Sequence, residues 1–151
     1  MSTRTDKPTT EDAIRLSHNI YKVRVSLLKS IIPSAFIYPT WGGDVLTEEE
    51  VRSVPLAEAS SKEYCGVDLE GYSNEVRQYH INRVAWFYHN GVQCEDDWHL
   101  PIFSVEKHLF NLHPLIDGNH RYAAAILRGD EYFTLQIRDD PESGEYIFGL
   151  K

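Results

Sequence analysis

The stretch His113-Pro114-Leu115-Ile116-Asp117-Gly118-Asn119-His120-Arg121, continued by Tyr122-Ala123-Ala124-Ala125-Ile126-Leu127-Arg128-Gly129, decides how the chain is read. An apolar run ends at Ile116, and an Asp-Gly pair marks a tight turn. An alanine-rich helix follows, with Asn119 as its N-cap and Gly129 as its left-handed stop. Backbone N–H groups and the helix dipole make such a helix start attractive to an anion, and Gly118 lets a ligand come close to the chain. Arg121 in the first turn opposes the dipole, so helix stability alone does not select it. It either offers a bidentate fork to a phosphate or pairs with Asp117, and the two are compatible in an empty site. His120 puts an imidazole at the same place. The dipole favours its neutral form and a bound phosphate would raise its pKa again, whereas the bland reading is a capping histidine exposed to solvent.

The turn Asp117-Gly118-Asn119-His120-Arg121, with Tyr122-Ala123-Ala124-Ala125 behind it, resembles the Gly-x-His/Arg-Arg signature of the ParB/sulfiredoxin superfamily. Upstream, Tyr79-His80-Ile81-Asn82-Arg83-Val84-Ala85-Trp86-Phe87-Tyr88-His89-Asn90-Gly91 looks like that fold's helix, and Leu100-Pro101-Ile102-Phe103-Ser104-Val105 like the strand after it. The resemblance covers the second half of the chain and implies an α+β, ParB/sulfiredoxin-like domain with a small mixed sheet packed by helices. It further implies a nucleotide, ATP or CTP, held by its phosphates on Gly118, Asn119, His120 and Arg121. Asp117 and His120 would be the catalytic candidates, Asp117 orienting Arg121 or a metal-bound water, with Mg²⁺ accompanying the phosphates. Sulfiredoxins carry their catalytic cysteine where this chain has Asn119, so sulfinic acid reduction is not expected. Chromosome-partitioning relatives bind CTP and carry a helix-turn-helix domain after the module, which is not expected here, since the sequence stops soon after it. A free-serine kinase branch has an Asp-Gly-His-His-Arg-like turn with acidic partners. Glu95-Asp96-Asp97 or Asp139-Asp140 could play such parts, though each also suits a solvated turn.

The same residues are also similar to the core motif of Fic-type nucleotidyl transferases, His-Pro-Phe-x-Asp-Gly-Asn-Gly-Arg, which would make His113 a general base. Leu115 replaces the aromatic, and His120 replaces the second glycine, whose small size serves the anion nest. Fic domains are all-helical, whereas the residues after Gly129 read as strand.

With 151 residues, 42% of them hydrophobic, the chain suits one domain, expected over 10–151 after a disordered tail at 1–9. The formal charge of −8 disfavours nucleic acid as a partner, since phosphate-backbone binding needs clustered Lys and Arg. The two cysteines, Cys65 and Cys94, form no framework, no leader segment opens the sequence, and no apolar run approaches the roughly 20 residues that span a bilayer. A cytoplasmic protein without a membrane partner is expected. Cys94, beside Glu95 and Asp96, should keep its proton.

Along the chain, Leu16, Ile20, Val23, Leu27 and Ile31 predict a helix from Thr10 toward Pro33, while the alternation of Tyr21, Val23, Val25 and Leu27 supports a helix followed by a strand. Ser34 to Tyr38 suggests a short strand and Trp41-Gly42-Gly43-Asp44 a turn. Thr47 and Glu50 form a capping box for a short helix that stops before Pro55. Residues 57 to 72 read as a loop, possible cover for the site. Ser73 caps a helix that Gly91 ends, with Val76, Tyr79, Val84, Phe87 and Tyr88 on one face. Leu100 to Val105, Leu112 to Ile116 and Tyr132 to Ile137 read as strands, and Glu145 to Gly149 as a final hairpin arm after the Asp139–Gly144 turn. Mixed elements without βαβ alternation predict α+β.

Six of the seven histidines, His80, His89, His99, His108, His113 and His120, fall between 80 and 120, but no His-x-x-x-His pair or cysteine partner gives them metal-site spacing. His80 reads as a buried, hydrogen-bonded core residue. The expected function is a nucleotide-binding domain with phosphotransferase or NTPase activity. Its rivals are a non-catalytic acidic interaction protein that covers a partner's basic face, a ParB-like nuclease, and a Fic-like transferase.

Overall fold

The computed structural model describes residues 12–32, 46–60, 74–94, 96–106 and 114–150. Expectations for the tail at 1–9, the strand and turn at 34–44, the body of the loop up to 72, the Ser73 cap, Cys65, His108 and His113 lie outside these residues. The elements are β1 (Ala13–Arg15), β2 (Ile20–Arg24), α1 (Val25–Ile31), α2 (Glu48–Arg52), α3 (Asn74–Asn90), a 3-10 turn (Asp97–His99), β3 (Ile102–Phe103), β4 (Leu115–Asp117), α4 (Asn119–Arg128), β5 (Tyr132–Gln136) and α5 (Ser143–Ile147). The protein is α+β, and its contacts group it into two compact units.

The first unit, 1–33 with 93–119 and 130–151, carries a five-stranded sheet in the order β1-β2-β5-β3-β4. All pairings are antiparallel except β3 with β5, so the sheet is mixed. The helix expected from Thr10 is replaced by β1 and β2, with α1 only from Val25. Tyr21 pairs with Leu135 and Val23 with both Ala13 and Phe133, all five buried. Period-2 burial against two neighbours removes more apolar surface than the single helical stripe would, and Leu16, a member of that stripe, is exposed.

The final hairpin arm is likewise corrected: residues 143–147 form α5. Pro141, Gly144, Glu145 and Phe148 fall at helical spacing and all meet the sheet's inner face. The Tyr21 hydroxyl donates to the Pro141 carbonyl over 2.6 Å, and a Cβ on Gly144 would overlap the Tyr21 ring. Glu145 is buried against Arg15 at 3.1 Å, and Phe148 meets Tyr21 and Phe103 edge-on. Burial raises the Tyr21 pKa to about 12. An extended arm would send Gly144 and Glu145 to opposite faces.

The second unit, 34–92 with 120–129, is helical where it is described. Thr47 and Glu50 make the expected capping box on α2, which ends at Arg52 before Pro55. Its core joins Leu46, Val51 and Val54 to Ile81, Val84, Ala85 and Phe87 of α3 and Ala123, Ala124 and Leu127 of α4. Gly91 and Gly129 follow their helices at φ +98° and +72°, the left-handed stops that the sequence predicts. Ala123 and Ala124 belong to the core that α4 shares with α3, and side chains of the first turn of α4 meet that upstream helix. Among the described residues no helix is long and apolar enough to cross a membrane.

Candidate functional site

The turn that leads from β4 into α4 is built around Gly118. Its φ is +89°, and a Cβ at this position would overlap the Pro101 ring, so glycine is required twice over. The close approach that glycine permits is filled by protein, not left open to a ligand from that side. Asp117 is exposed and its Oδ1 accepts from the Gly118 N–H at 2.9 Å, placing a carboxylate at the start of the helix. Asn119 is the first residue of α4, and its side-chain amide donates to the Leu115 carbonyl over 2.8 Å, tying the helix to β4.

His120 and Arg121 point toward α3. The Arg121 guanidinium lies 4.4 Å from the centre of the Phe87 ring, and its Nη1 donates to the Val92 carbonyl over 3.1 Å. This cation–π contact fixes the guanidinium within one turn of the helix start. His120 Nε2 lies 2.8 Å from His80 Nδ1, with the two rings nearly coplanar, so one imidazole donates and the other accepts. Tyr79 meets the His80 ring edge-on, and the Arg83 guanidinium approaches Phe87. His80, Arg83, Val84 and Phe87 are one stripe of α3 at helical spacing, which delivers the imidazole, the cation and the ring to one place.

Burial, then the nearby charge of Arg83, then His80 hold the His120 pKa well below 6.5. The ring is therefore neutral at pH 7, as the helix-start reading anticipated, but the leading cause is desolvation. The exposed capping histidine is overturned. His80 is buried and hydrogen-bonded as expected; that His120 is its partner was not foreseen, although His80 lies on the α3 stripe with Val84 and Phe87, which shares its core with the alanine-rich helix that carries His120.

The acidic groups offered as chemical partners hold local jobs. Asp96 accepts from the His99 backbone and imidazole and caps the 3-10 turn. Asp139 accepts from the Ser104 hydroxyl at 2.7 Å and from the backbone of Val105 and Glu106. Asp140 accepts from the Ser143 hydroxyl at the start of α5. The Cys94 thiol donates to the His99 carbonyl over 3.2 Å. Among the described residues no group of three His, Cys, Asp or Glu side chains is placed to hold a metal ion. The chain matches no family model, no curated protein and no solved structure.

Proposed function

We propose that the protein binds the phosphates of a nucleoside triphosphate, ATP or CTP, at the turn that opens α4, and transfers or hydrolyses the terminal phosphoryl group. Gly118, Asn119, His120 and Arg121 form the cradle, in the ParB/sulfiredoxin-like manner that the sequence suggests. The observation that carries the reading is His120: a neutral, desolvated imidazole in the first turn of a ten-residue helix, beside an arginine and hydrogen-bonded to a second imidazole. A neutral ring avoids repulsion from the helix dipole in the empty state, and an arriving phosphate would favour its protonation. The His80 ring can then share that proton. Asp117 occupies the Gly118 amide as an anion would, and gives way to the phosphate or orients the attacking group. Catalysis of this kind rests on positioning and on charge stabilisation. Mg²⁺ would enter with the triphosphate, since Mg²⁺ is commonly held by one or two carboxylates together with substrate phosphates.

Calorimetric titration of ATP and CTP, with and without Mg²⁺, into the protein and its Arg121→Ala variant tests the proposal. Binding by the protein and its loss in the variant are expected; equal affinities, or no heat with either nucleotide, would overturn it. The charge of −8 favours a second reading, a non-catalytic protein that covers a partner's basic surface. Phosphate release from either nucleotide above a no-protein control would exclude it.

A further inference from the structure

We infer that Arg83 is a second guanidinium of the phosphate site and that, together with Arg121, it selects a ligand carrying at least two adjacent phosphoryl groups. The inference rests on the nucleotide reading, which it deepens, and it uses residues of the second unit alone. Residues 76–92 and 120–129 contain Arg77, Arg83, Arg121 and Arg128 but no Asp or Glu, in a chain whose formal charge is −8. Positive charge is thus concentrated on α3 and α4. Arg77 meets the Glu50 carboxylate of α2, and Arg128, in the last turn of α4, donates to the Tyr88 carbonyl over 2.8 Å. Arg83 and Arg121 converge instead on one ring.

That ring is the buried Phe87, from whose centre the Arg121 and Arg83 guanidinium carbons lie 4.4 and 5.9 Å. Arg83 stands one helical turn before Phe87 and one after Tyr79, whose hydroxyl accepts from its Nη1 at 3.5 Å. Both arginines are partly exposed, so the pair borders solvent. The two imidazoles adjoin them, His80 one turn before Arg83 and His120 next to Arg121, joined at 2.8 Å. After burial, the charge of Arg83 is the main cause that holds the His120 pKa down, which places this guanidinium within electrostatic reach of the imidazole. Two cations held beside one apolar ring repel each other, and an anion that enters between them relieves the repulsion. Each guanidinium is a planar fork matched to the oxygens of one phosphoryl group. A monophosphate satisfies one fork, whereas a di- or triphosphate satisfies both and brings the further negative charge that favours a proton on His120.

Calorimetric titrations of ATP, ADP, AMP and inorganic pyrophosphate, with and without Mg²⁺, test the assignment on the protein and on its Arg83→Gln and Arg83→Lys variants, with urea midpoints as the check on folding. ATP, ADP and pyrophosphate should bind, and AMP should bind at least about 10-fold more weakly. Arg83→Gln should weaken ADP by about 10- to 150-fold and AMP little, so that the ratio between the two collapses. Arg83→Lys should recover only part of the ADP affinity, because an ammonium keeps the charge and loses the fork. AMP binding as tightly as ADP would overturn the inference, as would unchanged ADP affinity in Arg83→Gln or an equal loss for ADP and AMP, which is the mark of a purely structural role. If Arg83→Gln does not fold, the ratio of ADP to AMP affinity on the protein and on Arg83→Lys still decides. ATP binding that is lost in Arg121→Ala but intact in Arg83→Gln would remove the second guanidinium and keep the nucleotide reading; no binding of any of the four ligands would remove both.

Discussion

Gly118 holds a left-handed backbone with the Pro101 ring where a side chain would begin. Its alanine variant therefore meets two costs, the strain of a positive φ and the overlap with proline. Gly118→Ala should lose roughly 2–5 kcal/mol of stability, read from urea denaturation midpoints. A loss under 1 kcal/mol would mean that the turn relaxes and that neither constraint is real. The Asp-Gly pair made the turn itself legible, because only glycine adopts such a φ cheaply. The sequence did not reveal what surrounds it. That Pro101 seats Gly118 and that Asn119 reaches back to Leu115 depend on contacts between segments with no local pattern. Arg121 was legible as an oddity at the positive end of a helix, and its anchor on Phe87 gives that oddity a physical setting.

At the scale of elements, the period of burial separates what could be read from what could not. The helix before Gly91 and the helix after Gly118 showed themselves through their stops and spacing, and the Thr47 capping box through four consecutive residues. The N-terminal segment misled because Leu16, Ile20 and Val23 fit a helix as well as Tyr21 and Val23 fit a strand. Partners more than a hundred residues away, Phe133 and Leu135, decided it. The last element misled in the opposite sense. The run from Asp139 to Gly144 suggested a turn, while Pro141, Gly144, Glu145 and Phe148 already stood at i, i+3, i+4 and i+7. A glutamate inside that stripe looked wrong until Arg15 arrived from β1 to neutralise it. Gly144 is small because the Tyr21 ring lies on α5, not because the chain bends there. Gly144→Ala, which a solvated turn would accept at little cost, should thus destabilise the protein by about 1–3 kcal/mol. It should also shift the tyrosine near-ultraviolet circular dichroism; an unchanged melting temperature would restore the turn reading.

Across the whole molecule, protonation acts in two opposing ways. A net charge of −8 means that lowering the pH from neutrality first relieves self-repulsion, which favours the folded chain. His120 works against this. Its folded pKa is held well below 6.5 by burial and by Arg83, with His80 against it, so an unfolded chain binds a proton there that the folded one refuses. Stability from this site is fully present above about pH 6.5 and is lost as pH falls from there toward the lowered folded value, at no more than about 1.4 kcal/mol per pH unit. Glu50 and Asp139 do not blur the window. Burial pulls their folded pKa values up, but hydrogen bonds, and for Glu50 the Arg77 guanidinium, outweigh it and leave both lowered, so their contributions fade only in or below the ordinary carboxylate range. The difference between the protein and His120→Gln isolates the histidine, because self-repulsion is nearly common to both. Urea midpoints taken from pH 7.5 to 5.0 should fall more steeply for the protein than for His120→Gln, with the two curves converging as pH drops. Parallel curves would show that the imidazole pair accepts a second proton without strain, and the proposal that His120 waits neutral for an anion would lose its physical basis.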